Sequence, residues 1–377
     1  MSERQIINYR GLEVRISDEA DEGILDILNR AVQGSEGGMR FQLINIRSKI
    51  EAYGDRIRFV SLYKRNKVKG TVGSCFRITK LGKNRYPTSF LRYLAFQAAY
   101  QSDMAWKHRK KEIIKPETGD LTFKQKTLDI FSKPHLLGFK EVDETAKHVM
   151  FAFVESMNER SKNLVHQAGY EYIRSFLTVA FSRFSPKPDS RVSKINTPGE
   201  RKEMETLLED YYRDYSFFST DYSFHGDRYY VLREGDEIIA GANAIPSLYK
   251  IHDMPGVWGW VMMKVLPNAP YYKRLFRPGE FRFVIFDALY CRKGREDSLA
   301  DLFEAICAEE GYNTGLTWLD DRSELFDSLR IVTKMGILNR VLNAKPGLVY
   351  AKFINIGDDE KEKFYDAPAY ISGFDFA

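Results

Sequence analysis

The sequence predicts an α+β protein built from two similar domains, and three observations support this prediction. The chain has 377 residues, of which 44% are hydrophobic and 14% aromatic, which is enough for two globular domains of ordinary size. The same order of elements, helix, hairpin, strand, helix, strand, helix, strand, occurs twice along it. A polar, proline-rich stretch at Ser185–Thr197 separates the two runs. Each domain is therefore expected to hold a mixed, mostly antiparallel sheet flanked by helices.

We place the domains at residues 1–185 and 199–356, with a linker at 186–198 and a C-terminal tail at 357–377. Residues 1–185 contain 32 Lys and Arg against 21 Asp and Glu, a net charge of +11, whereas the remainder has 25 against 31, a net charge of −6. Most of the positive excess lies between Arg56 and Lys115. Such a field favours a phosphate-bearing cofactor, a nucleic acid or an acidic membrane surface, and a solvated face without a partner is the alternative.

In the first domain, apolar residues alternate or recur at helical spacing in a clear order. The elements are a strand at Leu12–Ile16, a helix from Asp18 to Ala31, a hairpin at Arg56–Tyr63 and Val68–Ile78, a strand at Phe90–Ala99, a helix at Leu121–Phe131, a strand at His148–Val154 and a helix at Glu159–Ala168. Gly169 ends that helix, and a long strand pair follows at Tyr170–Phe184. The basic Lys107–Lys115 run belongs to an irregular insertion.

The second domain repeats this order. Its elements are a helix at Glu200–Tyr212, a hairpin at Tyr229–Glu234 and Glu237–Ala244, a strand at Val257–Val265, a strand, loop, helix and strand within Glu280–Leu319, a helix at Leu325–Lys334 and a strand at Val349–Ile354. Gly235 and Asp236 form the hairpin turn. Gly336 ends the last helix.

The loop at Cys291–Asp297 is the most informative stretch of the chain. It follows an apolar strand, holds Gly294 among the cations Arg292, Lys293 and Arg295, and leads into a helix that Asp297 or Ser298 caps. Free N–H groups and the helix dipole at such a position bind phosphate oxygens. A single glycine also suits an ordinary solvated turn, so both interpretations stay open.

Cysteine and histidine usage predicts neither a disulfide framework nor a metal site. Only Cys75, Cys291 and Cys307 are present, and the six histidines lack paired ligand spacing. No apolar run approaches the roughly 18 residues of a membrane span, and residues 1–14 do not form a signal sequence. We therefore expect a cytoplasmic protein without a membrane span and without a bound metal.

The end of the first domain resembles the GNAT superfamily of acyl-CoA-dependent N-acyltransferases. In the segment from Asn158 to Tyr170, the residues that fit the family's late helix are Asn158, Ser161, Leu164, Gly169 and Tyr170. Val165 departs from the pattern, because it occupies the position where the family often carries the tyrosine that protonates the leaving thiolate. In the second domain, Val332 falls at that same position.

The second domain resembles the same family in its hairpin and its basic loop. The hairpin at Tyr230–Ala244 is similar to the family's early hairpin, and the loop at Cys291–Glu296 is similar to its pyrophosphate loop, with Gly294 as the clean match. The resemblance implies two tandem GNAT-like domains that use acetyl-CoA or another acyl-CoA as co-substrate. The resemblance implies that the backbone N–H groups of Leu289 and Tyr290 bind the thioester carbonyl and that Asn158 contacts the pantetheine arm of the cofactor. The other implied cofactor-binding residues are those of the basic loop and the start of its helix, Arg292, Lys293, Gly294, Arg295 and Ser298. Asn158 is equally suited to be a simple helix N-cap.

Acyl transfer to an amine needs a proton acceptor and a polarised thioester carbonyl. Asp287 is the one carboxylate within an apolar strand, so it is a candidate base whose pKa burial would raise. Pairing of Asp287 with Arg282 or Arg292 is the structural alternative. Glu155, at the end of the corresponding first-domain strand, is a second candidate base. Tyr290 is a candidate acid, although an aromatic residue at a strand end commonly serves packing.

These residues lead to one main functional hypothesis and two alternatives. The main hypothesis is an N-acyltransferase that moves an acyl group, with acetyl favoured, from acyl-CoA to a small-molecule or peptide amine, with the donor bound more readily in the second copy. One alternative is a non-catalytic scaffold that kept the fold. The other is an aminoacyl transferase that uses an RNA-linked donor, which the basic Arg56–Lys115 region suggests, although nucleic acid is the less favoured partner.

Overall fold

A computed structural model describes residues 3–9, 11–35, 37–97, 123–341 and 345–377. Within this part of the chain, fourteen strands form one continuous sheet. Their bounds are β1 Glu3–Tyr9, β2 Leu12–Ser17, β3 Arg40–Leu43, β4 Ile57–Lys64, β5 Lys67–Leu81, β6 Asn84–Phe96, β7 His148–Glu155, β8 Glu171–Ser182, β9 Val192–Lys194, β10 Tyr229–Glu234, β11 Glu237–Asp253, β12 Phe281–Cys291, β13 Thr314–Asp320 and β14 Gly347–Ile354.

Helices flank this sheet. Those described are α1 Glu22–Arg30, α2 Ile46–Glu51, α3 Phe123–Ile130, α4 Glu159–Gln167, α5 Pro198–Tyr211, α6 Gly256–Trp260, α7 Ser298–Glu310, α8 Glu324–Ile331, α9 Ile337–Val341 and α10 Asp358–Asp366. Local sequence explains their ends: Asp21 caps α1, and Thr197 with Glu200 forms a capping box on α5. Gly311 ends α7 in the left-handed conformation.

The duplicated α+β architecture is confirmed. The order β2-α1-α2-β4-β5-β6-α3-β7-α4-β8 in the first copy corresponds to β9-α5-β10-β11-β12-α7-β13-α8-β14 in the second. The central strands run β6-β7-β14-β8-β13-β12 across the sheet. The last strand of each copy therefore lies between two strands of the other copy: β8 lies between β14 and β13, and β14 lies between β7 and β8. The two domains predicted from the sequence thus interleave in space.

Two sequence predictions about local structure are wrong. The stretch Val257–Val265, predicted as a strand from its β-branched and aromatic residues, is helical, because its buried residues recur at helical spacing. The strand pair predicted at Tyr170–Phe184 is one continuous strand, β8, because it pairs first with β14 and then with β13 without an intervening turn. The segment 186–198, predicted as a linker, contains strand β9, which pairs with β10 at the edge of the sheet. The predicted strand at Phe90–Ala99 corresponds to β6, which ends at Phe96. The domain boundaries themselves stay a prediction.

The C-terminal residues pack inside the molecule. After α10, the segment 367–377, here called the tail segment, runs back beneath the centre of the sheet. Its buried apolar residues, Ala367, Ala369, Ile371, Phe374 and Ala377, belong to the largest hydrophobic cluster. Phe376 stacks on Trp318 of β13 at a centroid distance of 4.0 Å and lies 5.5 Å from Phe153 of β7. The tail segment thus joins the cores of the two copies.

Candidate active site

Each copy contains a β-bulge at the equivalent place. In the first copy, Tyr93 and Leu94 of β6 lie opposite the single residue Val72, because the register shifts between Thr71 and Gly73. In the second copy, Ala288 and Leu289 of β12 lie opposite Ala242 in the same manner. The first bulge residue has positive φ in both, 59° at Tyr93 and 47° at Ala288. A bulge of this kind turns backbone groups out of the ladder, towards a ligand or a neighbouring segment.

Beside each bulge, two parallel strands pair briefly and then separate. β6 pairs with β7 from Thr88 to Leu91, and β12 pairs with β13 only at Val284 and Ile285. We call the gap between β6 and β7 beyond Leu91 the first cleft, and the gap between β12 and β13 beyond Ile285 the second cleft. Arg92 and Asp287 immediately precede their bulges and are therefore equivalent residues.

The tail segment fills the second cleft. Asp287 Oδ1 accepts hydrogen bonds from the Tyr370 hydroxyl at 2.9 Å and the Gly373 N–H at 2.7 Å, and Oδ2 accepts from the Phe374 N–H at 3.3 Å. The tail also forms an isolated parallel β-bridge at Ala369 with Ser216, where the Tyr370 N–H donates to Ser216 O. Burial raises the pKa of Asp287, while the hydrogen bond from Gly373 opposes this shift. Only about 10 Å³ of the second cleft remains open, less than a water molecule fills.

Other groups close the second cleft from the remaining sides. The Tyr229 hydroxyl donates to Ala288 O at 2.8 Å, and the Tyr212 hydroxyl donates to Leu289 O at 2.6 Å. A Cβ at Gly373 would lie 2.6 Å from Ile285 Cγ2, so only glycine permits this approach of the tail to β12. Leu289 is consequently 2% exposed.

The first cleft is more open at the equivalent position. Leu94, the counterpart of Leu289, is 45% exposed. The tail touches this region through Arg92, whose guanidinium donates to the carbonyl oxygens of Phe374 and Ala377 and, at 2.9 Å, to the Tyr53 hydroxyl. The two equivalent side chains thus bind the same segment with opposite polarity: Arg92 takes its carbonyls and Asp287 takes its N–H groups.

A buried ion pair fixes the tail beneath the first copy. Arg77 of β5 donates to Asp375 Oδ1, and both side chains are almost completely buried. Arg77 also lies over the Tyr222 ring at 5.5 Å. Burial disfavours the charged Arg77, but the neighbouring Asp375 carboxylate more than compensates and raises its pKa. The pair therefore provides a strong but costly anchor for the tail.

Two polar atoms near Arg92 lack hydrogen-bond partners within the described part of the chain. They are Lys49 Nζ and the Tyr93 hydroxyl oxygen, and both atoms are buried. Burial, aided by the Arg92 charge, lowers the pKa of Lys49 to about 7. Lys49 lies 6.0 Å above the Tyr249 ring, and the Tyr249 hydroxyl donates to Phe376 O. A buried amine that titrates near neutrality beside a cleft is a functional candidate.

Glu155 and Asp320 occupy equivalent positions at the ends of β7 and β13. The Glu155 carboxylate accepts from the Ser35 N–H at 2.8 Å and from the Ser35 hydroxyl at 2.6 Å. Asp320 accepts from Arg174 at 2.8 and 3.1 Å and from the Ala369 N–H at 2.7 Å. Glu155 is partly exposed at the first cleft, whereas Asp320 is buried. The catalytic role of Glu155 stays a prediction.

Two of the three cations in the basic loop at Cys291–Asp297 pair with carboxylates of the chain itself. Arg292 pairs with Glu237, and Arg295 pairs with Glu234, both from the β10–β11 hairpin. The Gly294 N–H donates to Glu296 Oε1 at 3.0 Å. Gly294 has φ +82°, which explains the glycine there without a ligand. The arrangement matches the solvated-turn interpretation, and phosphate binding by Arg292, Lys293, Gly294, Arg295 and Ser298 stays a prediction.

The remaining sequence candidates have structural partners. Asn158 Oδ1 accepts from the Ser161 N–H at 3.0 Å, so its N-cap role is confirmed. Tyr290 is half-buried and packs edge-on against Tyr211 at 5.6 Å. Asp287 pairs with neither Arg282 nor Arg292, so that alternative is wrong, since its carboxylate faces the tail. Its predicted role as a base, like that of Tyr290 as an acid, is untested.

Cysteine, histidine and metal chemistry find little support in the described residues. Burial raises the pKa of Cys75 and of Cys291 to about 12 and also raises that of Cys307, so the three remain thiols. Burial lowers the pKa of His148 to about 3. Within the described ranges, no group of three His, Cys, Asp or Glu side chains is arranged to hold a metal, and no helix is long and apolar enough to cross a membrane.

Sequence reasoning missed Arg92, the Tyr93–Leu94 bulge and Lys49. One signal was present: Gly70 and Gly73 interrupt the second hairpin strand. Both glycines lie where β6 crosses closely, because a Cβ at Gly70 would lie 2.3 Å from Phe96 Cδ1 and one at Gly73 would lie 3.1 Å from Tyr93 Cδ2. Such glycines indicate a close backbone approach or a bulge in the partner strand. Of the basic region from Arg56 to Lys115, for which a polyanionic partner was predicted, the part from 98 to 115 with the Lys107–Lys115 run lies outside the described residues, and the partner stays a prediction.

The duplicated order of elements and the two bulged clefts define a pair of tandem GNAT-like domains. The chain is similar to two structures of Saccharomyces cerevisiae N-myristoyltransferase with bound myristoyl-CoA. The first has 9% sequence identity and a TM-score of 0.56, and the match covers 98% of this chain and 90% of that one. The second has 9% identity and a TM-score of 0.54, and the match covers 97% of this chain and 86% of that one. It is also similar to a GCN5-related N-acetyltransferase from Anabaena variabilis, at 10% identity and TM-score 0.45, covering 90% and 72%. No protein-family model and no curated protein sequence matches the chain.

Proposed function

We propose that this protein is an N-acyltransferase that binds acyl-CoA in the first cleft and transfers the acyl group to an amine. The bulge at Tyr93–Leu94 supplies backbone N–H groups that polarise the thioester carbonyl. The second copy serves as a scaffold that holds the tail segment. One observation carries this assignment: of two equivalent bulges, Leu94 is 45% exposed and Leu289 is 2% exposed.

The yeast proteins of similar fold are N-myristoyltransferases that bind myristoyl-CoA, which supports an acyl-CoA donor of some chain length here. The aromatic rings beneath the first cleft favour a short acyl group. Phe90 packs on Phe151 at 4.9 Å and on Phe153 at 4.8 Å, and Phe376 lies against Phe153. Rings in mutual contact leave no channel for a long chain between them. We therefore propose acetyl-CoA as the preferred donor.

The acceptor amine must lose a proton before it attacks the thioester. Lys49 is the group that we assign to this role, because its buried amine is unpartnered in the described part of the chain and its pKa of about 7 suits proton transfer at neutral pH. Glu155 is the alternative acceptor, since its carboxylate lies at the end of β7 beside the same cleft. In this proposal Asp287 and Tyr290 do not contact the donor.

Substitution of Lys49 and Glu155 separates the two proton acceptors. Lys49→Met is expected to lower kcat/KM by roughly 10² or more, and to remove the rise in kcat/KM near pH 7, because a positioned base contributes about that factor. Lys64→Met, at an exposed lysine of β4, is the control. If instead Glu155→Gln lowers kcat/KM by this factor and removes the rise near pH 7, while Lys49→Met leaves both unchanged, Glu155 is the proton acceptor.

Calorimetric titration of acetyl-CoA tests the location of the donor. Leu94→Trp replaces the exposed leucine of the first cleft with a larger side chain and is expected to abolish the binding of acetyl-CoA. Gly294→Glu places a charge in the second-copy loop and is expected to leave binding intact. The reverse pattern would place the donor in the second copy, as the sequence first suggested. Absence of binding by the wild-type protein, with donors of any chain length, would refute the proposed function.

A further inference from the structure

The helical segment Gly256–Asn268 presents an apolar face to solvent. It begins as α6, continues through a π turn and ends in a 3₁₀ turn. Its inward residues recur at helical spacing: Gly259 and Met262 are buried, and Met263 and Leu266 pack against the core. The outward residues are also apolar, with Val257 79%, Trp258 57% and Trp260 60% exposed. A helix that is hydrophobic on both faces indicates an outer face that is covered in use.

Cations border this face, and few acids do. From Met254 to Arg282 the sequence contains five basic residues, Lys264, Lys273, Arg274, Arg277 and Arg282, and one acidic residue, Glu280, a net charge of +4. Lys264 follows Trp260 by four positions, which places both on the same side of the helix. All five cations are exposed. Only Arg277 pairs with a carboxylate among the described residues, at 4.0 Å from Glu280.

A basic pocket adjoins the apolar face. It holds about 200 Å³, and its polar lining consists of four cations, Lys273, Arg274, Arg277 and Arg282, and one carboxylate, Glu280, together with Tyr312 and Asn313. The Arg282 guanidinium lies over the Tyr312 ring at 5.3 Å, which fixes one wall. Exposed tryptophans next to a pocket of this charge and size match the boundary of a bilayer, where rings lie at the level of the headgroups and cations meet lipid phosphates.

We propose that the face formed by Val257, Trp258, Trp260 and Lys264, with the basic pocket beside it, binds the surface of an anionic phospholipid membrane. The unpaired cations favour the lipid surface over a protein partner, because an anionic bilayer attracts clustered Lys and Arg side chains without a matching set of carboxylates. The binding is peripheral: the thirteen residues from 256 to 268 lie along the surface and do not cross it. This surface is separate from both clefts in sequence and does not depend on the proposed acyl transfer.

Vesicle co-sedimentation of the full chain tests this surface. We expect the protein to bind vesicles of phosphatidylcholine with phosphatidylglycerol and not vesicles of phosphatidylcholine alone. Trp258→Ser/Trp260→Ser is expected to abolish binding. Lys273→Gln/Arg274→Gln is expected to weaken it about thirtyfold, since each cation near an anionic surface contributes roughly fivefold. Ile331→Ser, at an equally exposed apolar residue of α8, is the control and is expected to bind normally.

Four results would overturn the proposal. The first is equal binding to neutral and anionic vesicles, and the second is no binding to either. The third is a concentration-dependent dimer in analytical ultracentrifugation that the tryptophan variant converts to monomer, which would assign the face to a second copy of this chain. The fourth is calorimetric binding of inorganic phosphate that the charge variant removes while vesicle binding is unchanged, which would make the pocket a site for free phosphate.

Discussion

The two clefts of this protein have the same backbone geometry, but the tail segment fills the second cleft and leaves the equivalent leucine of the first cleft exposed. Both follow a short parallel pairing, and both contain a bulge whose first residue has positive φ. In the second cleft the chain supplies its own occupant, the tail segment, and the equivalent leucine is buried. In the first cleft that leucine is exposed. A duplicated fold therefore allows one copy to leave this position exposed while the other fills the same geometry with a segment of the chain.

The equivalent residues Arg92 and Asp287 show how the joint arises. At the same position before the bulge, the first copy has a donor side chain and the second has an acceptor side chain. One peptide segment can satisfy both, because its carbonyls face Arg92 and its N–H groups face Asp287. The tail thus connects the two copies, because it donates hydrogen bonds to Asp287 of the second copy and accepts them from Arg92 of the first. Four substitutions test whether the two clefts differ in this way.

The largest effect is expected at the anchor of the tail beneath the first copy. Asp375→Asn leaves the Arg77 guanidinium buried without a charged partner, and removal of one member of a buried ion pair costs about 3–5 kcal/mol. Urea denaturation should show this loss of unfolding free energy. Asp366→Asn, at an exposed carboxylate just before the tail, is the matched control and should be neutral. Equal stability of the two variants would show that the tail is not anchored as described.

The second effect is a pH dependence of stability that belongs to the first cleft. The pKa of Lys49 is lowered from its ordinary value of 10.5 to about 7, so the folded state releases this proton more readily than the unfolded state. Its contribution is complete above pH 10.5 and is lost as the pH falls towards 7, at about 1.4 kcal/mol per pH unit. Lys49→Met should remove that slope, and Lys64→Met should not. Identical slopes in wild type and Lys49→Met would contradict a buried, unpartnered amine.

The third effect tests how tightly the tail fills the second cleft. Gly373→Ala places a methyl group 2.6 Å from Ile285 Cγ2, and such overpacking costs about 1–3 kcal/mol. The same substitution at Gly357, where nothing lies within 4 Å of the added Cβ, is the control. Thermal unfolding of both variants measures the difference. An unchanged transition in Gly373→Ala would show that the second cleft has room that a donor could use.

The smallest effect is expected in the basic loop of the second copy. Gly294→Ala forces a non-glycine residue to φ +82°, which costs about 1–2 kcal/mol. No neighbouring atom lies within 4 Å of the new Cβ, so packing is unaffected. Acetyl-CoA affinity should not change, because the Gly294 N–H already donates to Glu296. A parallel loss of affinity and stability would restore this loop as a phosphate site.

The sequence predicted the repeated fold better than the site. The element order is a local property: glycines such as Gly169 and Gly311 end helices, and apolar spacing distinguishes most strands from helices. The stretch Val257–Val265 was misread because its residues favour strands, while the core contacts of Met262 and Leu266 favour a helix. Long-range packing therefore decided the conformation of this stretch against the local preference of its residues.

The site was less predictable because it depends on contacts between distant residues. Asp287 stood out in the sequence as a carboxylate within an apolar strand, but its partners Tyr370 and Gly373 lie more than eighty positions away and could not be predicted from it. Lys49 has no motif of its own, and only burial beside Arg92 gives it an unusual pKa. The loop at Gly294 matched a phosphate-binding pattern in composition, but Glu234 and Glu237 of a separate hairpin pair with two of its three cations.

A structure of the protein with bound acetyl-CoA tests the central claim most directly. We expect the thioester to lie between β6 and β7, with its carbonyl oxygen at the backbone N–H groups of the Tyr93–Leu94 bulge. The tail segment should remain in the second cleft. The contrary result is a donor between β12 and β13, with the tail displaced from Asp287. That outcome would make the second copy the active one and the tail its removable plug.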